Sequence, residues 1–421
     1  MKIAYVYGRQ IFDSRGNPTV EAEVTLENGT SARAAAPSGA STGVGEALEL
    51  RDGGTPYGGQ GVMHAVANIN EKIYQALKGK DAYNQSSIDH TMIELDGTEG
   101  KTVLGANATT AVSLAVAKTA SLAAQIPLFR YISLISDTKK PTIPMPMVNI
   151  INGGKHADGS SDIQEFMIVP VGAKNIDQAL RMTSETFHAL RHVLIREKYP
   201  TTVGDEGGYA PNLRKGNEEA IQLIITAINE AGYEPGEEIK IALDVAASEI
   251  YSQGHYHLKK ENHSLSTHQM IDWLEDIVRK YPIYSIEDGL GEDDWDGWRE
   301  LNSRLGGKIQ LVGDDLLVTN TMYLERAISS TAANSILIKP NQIGTLSETI
   351  KAVKMAKRAG WQTIMSHRSG ETEDTTISHL AVGLQTKQIK SGSMCRSERM
   401  AKYNELIRIS ESLNDFWRPN K

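Results

Sequence analysis

Hydrophobic and polar residues alternate in two runs near the start of the chain, IAYVYGRQIF at 3–12 and TVEAEVTLE at 19–27. The turn-forming sequence DSRGNP separates the two runs. Alternation with a period of two is typical of a strand with one buried face, and a turn between two such runs favours antiparallel pairing. The chain is therefore predicted to begin with two antiparallel strands.

A helical period replaces the alternation after these strands. Hydrophobic residues recur at helical spacing over residues 60–78, 82–95 and 106–136. Strands followed by helices predict an α+β domain, which we place at residues 1–135. The sequence SDTKKPTIPMPM at 136–147 is first polar and then rich in proline, and it marks the predicted domain boundary.

Short β-rich runs and helical segments alternate through the rest of the chain. The helical segments include residues 267–280, 319–330 and 345–359, the last of which is followed by Gly360 as a C-terminal cap. Repeated strand-then-helix units predict a parallel α/β structure, and residues 140–421 have the length of a (β/α)8 barrel. The runs that we interpret as barrel strands are IKIAL at 239–243, IYSI at 283–286, IQLV at 309–312, SILI at 335–338 and QTIM at 362–365.

Charged residues follow each of these predicted strands, and a further one follows the run KQI. In a (β/α)8 barrel the carboxyl ends of the strands meet at one face, and that face carries the active site. Successive strand ends with charged side chains therefore predict a single charged site. Its members are Asp244, Glu287, Asp314, Lys339, His367, Arg368 and Lys390.

Three of these residues, Asp244, Glu287 and Asp314, offer carboxylate oxygens from neighbouring strands. No cysteine and no suitably spaced histidine joins them in the sequence. Such a set suits Mg²⁺, which prefers oxygen ligands and leaves positions open for water or substrate. The alternative is that the three acids cap the helices that follow the strands.

Cationic residues complete the predicted site. Lys339 and Lys390 lie two strands apart on the same face, and two ammonium groups near a divalent cation are expected to have lowered pKa values, so that one of them can act as a neutral base. Arg368, followed by Ser369, offers a planar fork for a phosphate or a carboxylate. Salt bridges on the rim of the barrel are the alternative for this segment.

The sequence VGDEGGYAPN at 203–212 places two acids, Asp205 and Glu206, between glycines. A polar turn is the simplest interpretation. Glycines also allow the backbone to pass close to a ligand, which makes Glu206 a candidate acid opposite the lysine base. Together, metal, base, acid and anion-binding fork predict proton abstraction next to a carboxylate, followed by loss of a hydroxyl group.

Composition and charge argue against several other classes of protein. The net charge of −8 and the lack of a basic run disfavour nucleic-acid binding. The single cysteine excludes an intrachain disulfide and fits a reducing cytoplasm. We expect no secretory signal at the N-terminus, and we expect the stretch 103–129 to be a buried helix and not a membrane span. Polar neighbours favour an exposed hairpin for the histidines His255, His257, His263 and His268.

Twelve short sequences, spread nearly from end to end of the chain, form an ordered set. They are DSRGNPTVE (13–21), PSGASTG (37–43), EALELRDG (46–53), NGGKHAD (152–158), QEFMIVPVGA (164–173), GDEGGYAPN (204–212), LDVAASE (243–249), SIEDGL (285–290), GDDLLVTN (313–320), KPNQIGTLSET (339–349), SHRSGETED (366–374) and AKYNELIRI (401–409). Any one of them alone would be weak evidence. In this order they closely resemble the enolase family.

The resemblance implies the reversible dehydration of 2-phospho-D-glycerate to phosphoenolpyruvate, a step of glycolysis and gluconeogenesis. Lys339 would abstract the C2 proton, Mg²⁺ would stabilise the enediolate, and Glu206 would protonate the leaving hydroxyl group. Glu165 would support that acid, and Gln164 would lie beside the substrate.

The resemblance also implies a ligand set. Two Mg²⁺ ions would bind in each active site, the first through Asp244, Glu287 and Asp314. Ser41 would reach the second ion, which arrives with the substrate. The residues implied to contact substrate oxygens are His156, Arg368, Ser369 and Lys390.

The fold implied by the resemblance is an α+β cap domain followed by a modified barrel that opens as ββαα instead of βαβα. The family also implies a homo-oligomer, either a dimer or an octamer, located in the cytoplasm with the cell surface as a second location. Another carboxylate enzyme of the same superfamily is the alternative function. Plasminogen binding through lysines such as the terminal Lys421 is an additional role to consider.

Overall fold

The computed structural model describes residues 1–40 and 43–413. It begins with an antiparallel sheet in the order β1-β2-β3, formed by β1 (Ile3–Phe12), β2 (Pro18–Leu26) and β3 (Ser31–Ala35). β1 and β2 pair up to Phe12 and Pro18 beside the turn, which confirms the predicted antiparallel pair. The third strand has only 5 residues and is too short to give an alternating pattern.

Helices pack on this sheet. A π-helical turn at Ile69–Ile73 joins α1 to α2, so the predicted helix at 60–78 is interrupted by one wider turn. The helix α4 packs against β2 and β3 and has 15 of its 18 residues buried, which explains why it is apolar on every side. The helices of this region are α1 (Met63–Asn68), α2 (Tyr74–Leu77), α3 (Gln85–Asp96), α4 (Ala106–Ala123) and α5 (Leu128–Ile135), with a 3₁₀ turn at Pro56–Gly59.

The predicted helix at 106–136 is two helices, α4 and α5. Pro127 precedes α5, and a proline disfavours helical conformation in the residue before it, so the chain turns between them. The buried helix predicted within 103–129 is confirmed by α4. In the described part of the chain, no single helix has both the length and the hydropathy needed to cross a membrane; α4 and α5 meet that test only as a pair bent by 108°.

Strands and helices alternate after α5. The strands are β4 (Met145–Asn152), β5 (Glu165–Val169), β6 (Lys240–Asp244), β7 (Tyr251–Ser252), β8 (His255–Leu258), β9 (His263–Leu265), β10 (Ile283–Glu287), β11 (Gln310–Gly313), β12 (Ser335–Ile338), β13 (Gln362–Ser366) and β14 (Gln388–Lys390). The helices are α6 (Ile176–Arg196), α7 (Glu218–Glu230), α8 (Thr267–Lys280), α9 (Trp295–Leu305), α10 (Thr321–Ser330), α11 (Pro340–Ile343), α12 (Leu346–Arg358), α13 (Thr376–Gly383) and α14 (Ser397–Leu413), with 3₁₀ turns at Gly154–His156 and Ala247–Ile250.

A closed barrel forms within the described residues, in the order β10-β11-β12-β13-β14-β4-β5-β6. The α/β barrel after an α+β domain is therefore confirmed. The helices predicted at 267–280, 319–330 and 345–359 correspond to α8, α10 and α12. Gly360, with a φ of 79°, follows α12 in the left-handed conformation that suits a C-terminal cap.

The barrel opens with two strands and two helices, β4-β5-α6-α7, before β6. The strand β5 runs antiparallel to both β4 and β6, and its first residue, Glu165, pairs with Asn152 and Asp244 at the last positions of those strands. The ββαα opening implied by the resemblance is thus present, whereas a uniformly parallel barrel is wrong for β5. Because β5 is reversed, its beginning lies where the other strands end.

Hydrophobic side chains from alternate strand positions form a cluster inside the barrel, separate from the core between strands and helices. Ala242, Val312 and Leu337 belong to this inner cluster. Successive side chains of a strand point to opposite faces, so the residues two positions later also face inward. These are Asp244, Asp314 and Lys339, which lie above the hydrophobic floor of the barrel.

The strands β7, β8 and β9 form a small separate antiparallel sheet. His255 and His263 are exposed on it and His257 is partly exposed, which confirms the predicted hairpin. His268 is exposed on α8.

Candidate active site

A small cavity lies at the carboxyl ends of the barrel strands. Its free volume is about 20 Å³, which is room for a water molecule and not for a phosphorylated acid. Charged side chains that pair with one another occupy the remaining space, so a substrate must displace some of these pairs. The lining residues are His156, Gln164, Glu165, Glu206, Asp244, Asp314, Lys339, Ser366, His367, Arg368, Ser369 and Lys390.

The structure brings together nearly all of the residues predicted from the sequence. Glu287 does not line the cavity itself but contacts Lys390, which does. Ser41 lies outside the described residues, so the predicted ligand of the second metal ion stays a prediction.

Lys390 is surrounded by carboxylates. Its Nζ lies 2.9 Å from both oxygens of Glu287, 3.2 Å from Glu165 Oε2 and 3.3 Å from Asp244 Oδ2. Burial acts to lower the pKa of Lys390, but Glu165, Glu287 and Asp244 raise it well above its ordinary value. Burial and the charge of Asp244 raise the pKa of Glu287 well above its usual range. The lysine is thus the cation that allows these acids to be buried together.

Lys339 makes an ion pair with Asp314 Oδ2. The other oxygen of Asp314 accepts a 2.9 Å hydrogen bond from Gln342 Nε2, and the Asp314 backbone N–H donates to Asp288 at 3.0 Å. Burial acts to lower the pKa of Lys339, but the Asp314 carboxylate raises it above its ordinary value. In the chain without a cation the pKa values of both lysines are raised, because each ammonium group faces acids more closely than it faces another cation. The predicted lowering assumes a divalent cation beside the lysines and stays a prediction.

Asp244, Glu287 and Asp314 offer the carboxylate oxygens that a hard divalent cation prefers. All three side chains are buried carboxylates at the ends of the adjacent strands β6, β10 and β11. Burial, and after it the charges of Asp244 and Asp314, raise the pKa of Glu287, and a bound cation would offset these unfavourable contributions. Asp288, Asp314 and Asp315 also have ligand atoms within 4.8 Å of one another, so a cation beside Asp314 has further acidic neighbours.

Helix capping does not account for these three acids. The helices that follow the strands have other caps, each accepting a hydrogen bond from a backbone N–H of the first turn. These caps are Ser266 for α8, Asp294 for α9 and Asn320 for α10. Capping of these helices therefore does not explain why the three carboxylates lie at the strand ends.

The acid loop GDEGG bends sharply at Gly207, where φ is 88°. A Cβ there would lie 2.6 Å from the carbonyl oxygen of Cys395, so only glycine fits. This turn presents the buried Glu206 to the cavity. Asn149 Nδ2 donates to Glu206 Oε2 at 3.1 Å, and His367 Nε2 lies 3.4 Å from the same oxygen.

Glu206 and Glu165 form an acid pair together with His156. One ligand atom of each lies within 4.8 Å of the other two. Burial and the charge of Glu206 raise the pKa of Glu165 well above its usual range. Burial opposes the ionisation of Glu206, but the imidazole groups of His156 and His367 lower its pKa below the usual range. A proton shared by the pair is therefore held by Glu165 in preference to Glu206.

Arg368 is 3% exposed, so it does not belong to a salt bridge on the rim of the barrel. Its two terminal nitrogens donate to Glu46 at 2.9 and 3.1 Å, and Asn341 accepts a further hydrogen bond at 3.2 Å. Ser369 Oγ accepts a 2.6 Å hydrogen bond from the backbone N–H of Ala40. The arginine fork thus already binds a carboxylate, and that carboxylate comes from the N-terminal domain.

Several buried polar atoms around the cavity have no hydrogen-bond partner among the described residues. Buried polar atoms are normally paired, so a cluster of unpaired ones indicates a place where a ligand supplies the missing bonds. These atoms are His156 Nδ1, Gln164 Oε1 and Asn149 Oδ1, whereas Glu165 Oε2 and His367 Nε2 face Lys390 Nζ and Glu206 Oε2 at 3.2 and 3.4 Å.

Some residues of the site carry no role in the sequence-based prediction. His367 is named there only as a strand end, although it lies beside Glu206. Glu46, Gln342 and Arg399 each contact a predicted site residue. These three residues and His367 fall within or close to the short sequences that resemble the enolase family. Membership of those sequences is the signal by which they could have been found.

Fold and site define a barrel protein with a capping domain and a charged, carboxylate-rich cavity at the strand ends. Comparison with family models identifies both parts of it. Residues 3–132 match the model described as the enolase N-terminal domain, and residues 140–418 match the enolase C-terminal TIM barrel domain. The chain therefore belongs to the enolase family, and this membership indicates a lyase.

Proposed function

We propose that the protein catalyses the reversible dehydration of 2-phospho-D-glycerate to phosphoenolpyruvate in glycolysis and gluconeogenesis, with Mg²⁺ as its cofactor. The observation that carries the proposal is the placement of base and acids. Lys339 follows β12 and Glu165 begins β5, and these two strands lie on opposite sides of the closed barrel. A substrate between them would meet a base on one side and the Glu165–Glu206 pair on the other.

Asp244, Glu287 and Asp314 would hold the first metal ion, and Ser41 is proposed for the second. When bound, Mg²⁺ supplies positive charge that stabilises negative charge developing on the substrate carboxylate. Lys339 would remove the C2 proton. A carboxylate engaged by a cation attracts an ammonium group less strongly, so cation binding at Asp314 is expected to lower the pKa of Lys339.

Glu206 would give a proton to the leaving hydroxyl group. Its Oε2 already accepts a hydrogen bond from Asn149 and faces His367, so Oε1, which faces His156, is the oxygen available for proton transfer. The proton held by the pair is the source. His156, Gln164 and Lys390 would contact substrate oxygens.

Arg368 and Ser369 would bind the phosphate. A guanidinium fork that donates two hydrogen bonds to Glu46 has the geometry to donate two to a phosphate. When the substrate binds, its phosphate therefore either replaces the Glu46 carboxylate at Arg368 or binds beside it. This recognition distinguishes the proposed reaction from that of a superfamily enzyme acting on an unphosphorylated carboxylate.

The direct test measures the formation of phosphoenolpyruvate from 2-phospho-D-glycerate. The product is monitored by its absorbance, first with Mg²⁺ and then with excess EDTA. We expect activity that is lost in EDTA and restored by Mg²⁺ or Mn²⁺.

Asp314→Asn should raise the Mg²⁺ concentration for half activity by at least about tenfold, because outer contacts to a metal site alone are worth about that much. Asp296→Asn on the exposed surface of α9 is the matched control. Full activity in chelator, or an unchanged Mg²⁺ requirement in Asp314→Asn, contradicts the metal assignment.

A second test concerns the anion fork. Arg368→Lys keeps the charge but loses the paired hydrogen bonds, so kcat/KM should fall by roughly 30-fold, the equivalent of about 2 kcal/mol for a charged hydrogen bond. The measurement is initial rates on 2-phospho-D-glycerate and on D-glycerate. The control is Arg304→Lys, because Arg304 lies on α9 and pairs with Glu275 of α8, away from the cavity. Equal rates on the two substrates would show that the site does not recognise phosphate.

We also propose a cytoplasmic location, with the cell surface as a second location, and a homo-oligomeric assembly, either dimer or octamer. The single free cysteine, Cys395, supports a reducing compartment. Plasminogen binding through lysines is proposed as an additional role. Lys421, the terminal lysine considered for it, lies outside the described residues.

A further inference from the structure

Arg399 is a buried arginine on α14 whose guanidinium group contacts several parts of the site. It is fully buried, and its NH1 donates 2.6 Å hydrogen bonds to His367 Nδ1 and to the Arg368 carbonyl oxygen. Its NH2 donates to the carbonyl oxygens of Ser369 at 2.6 Å and Asp205 at 3.2 Å. One side chain thus connects the acid loop with the segment that carries His367 and Arg368.

The contact with His367 decides which ring nitrogen carries the proton. Arginine has only donors, so His367 Nδ1 must accept and cannot itself carry a hydrogen atom. In the neutral ring the proton is then on Nε2, which lies 3.4 Å from Glu206 Oε2. Burial lowers the pKa of His367 to about 4, with Glu206 acting against burial and Arg399 acting with it. The ring is therefore neutral near neutral pH.

The backbone around Arg399 is tightly packed. A Cβ at Gly392 would lie 2.7 Å from both Arg399 Cδ and the Glu206 carbonyl oxygen. The Ser393 N–H donates to that same carbonyl oxygen at 2.9 Å. The position of the arginine and the position of the acid loop are consequently linked.

We propose that Arg399 is a positioning residue for the acid step: it fixes His367 in the tautomer that directs Nε2–H at Glu206. This inference rests on the proposed function. In that tautomer His367 is a hydrogen-bond donor to Glu206 and cannot accept its proton. The proton of the acid pair is thereby kept for Oε1 and the substrate. Without Arg399, Nδ1 can carry the proton, and Nε2 becomes an acceptor that competes with the substrate.

Other groups also act on this pair from the surrounding elements. The charged or titratable groups that act on His367 are Glu206, Arg399 and Glu371, and those that act on Glu206 also include His156, Glu165, Lys390 and Tyr403. A lysine at position 399 keeps a positive charge near His367, so the acid limb of the kcat profile should stay close to its wild-type position. A changed tautomer in that variant therefore reports the lost guanidinium hydrogen bonds and not a lost charge.

The test compares Arg399→Lys with Arg396→Lys. Arg396 precedes α14, and its Nε donates to the carbonyl oxygen of Gly204 in the same acid loop at 3.1 Å, but it makes no hydrogen bond to His367 among the described residues. It is therefore a matched control for the loss of a backbone contact to the loop. The first readout is the ¹⁵N NMR spectrum of histidine-labelled protein, with His367→Gln assigning the resonances; it needs no turnover. The second is kcat and KM against pH.

We expect wild-type His367 to show the neutral Nε2–H tautomer throughout the neutral range. Arg399→Lys should show mixed tautomers of His367, a kcat lowered on the order of tenfold, a KM nearly unchanged, and an acid limb close to that of the wild type. Arg396→Lys should change neither the spectrum nor the profile.

An Nδ1–H tautomer in the wild type overturns the inference even if Arg399→Lys does not fold. An unchanged spectrum and profile in Arg399→Lys, or an equal loss of kcat in Arg396→Lys, also overturns it. If the wild type shows the expected spectrum but does not dehydrate 2-phospho-D-glycerate, the proposed function is wrong while the tautomer assignment holds.

Discussion

The C2 proton of 2-phospho-D-glycerate should exchange with deuterium from the solvent in a Glu206→Gln variant that forms almost no phosphoenolpyruvate. Glutamine keeps the size of the side chain, and Lys339 and the carboxylates of β6, β10 and β11 are unchanged. Only the proton donor is lost, and a positioned acid contributes roughly 10²–10⁴-fold to the rate. In Lys339→Ala both exchange and dehydration should be lost, because the base acts first.

Both reactions are measured by NMR of the substrate in D₂O with Mg²⁺. Asp205→Asn is the matched control for the acid, since Asp205 is the neighbouring acid of the same loop and does not line the cavity. It should keep exchange and dehydration. If Lys339→Ala exchanges and Glu206→Gln does not, base and acid are reversed. If both variants lose exchange, Glu206 also helps to assemble the site, with Glu165 as its nearest partner in that role.

The acid pair explains why the sequence places Glu206 between glycines. Gly207 allows the loop to turn against Cys395, and Glu206 then reaches Asn149 and His367. The neighbouring Asp205 contributes its backbone carbonyl oxygen to Arg399. One acid therefore faces the cavity, while the backbone of the other anchors the loop.

Sequence periodicity could predict those site residues that follow regular strands. Asp244, Asp314 and Lys339 come two positions after inward-facing hydrophobic residues, so their direction follows from the strand period alone. Glu165 could not be placed in this way. It begins the reversed strand β5, and 5 buried residues in a row give no signal of strand direction.

Partners distant in sequence could not be predicted either. Arg368 pairs with Glu46, which lies 322 residues earlier and in the other domain. The pKa values of the lysines were also beyond a sequence argument, because they depend on which acids surround each ammonium group. A count of two lysines near three acids does not show that Lys390 lies between Glu165, Asp244 and Glu287.

Replacement of that central lysine should have the largest effect on stability. In Lys390→Ala the carboxylates of Glu165, Asp244 and Glu287 remain buried without their shared cation, and removal of one partner from a buried ion pair costs about 3–5 kcal/mol. The pKa values of Glu165 and Glu287 are already raised in the folded protein and should rise further. The folded variant then binds more protons than the unfolded chain, so its free energy of unfolding should fall as the pH rises from about 5 to about 8.

The measurement is urea denaturation of wild type and variant in EDTA across this pH range. Lys155→Ala is the control, because Lys155 pairs with Glu249 at 2.6 Å but its side chain is 47% exposed. An exposed pair contributes only about 0–1 kcal/mol, and little of that should depend on pH in this range. A Lys390→Ala variant that loses no more stability than Lys155→Ala would mean that the three acids are not held as buried charges. The cavity would then have to take up protons or water in place of the lysine, and the assignment of these acids as a preformed cation site would be wrong.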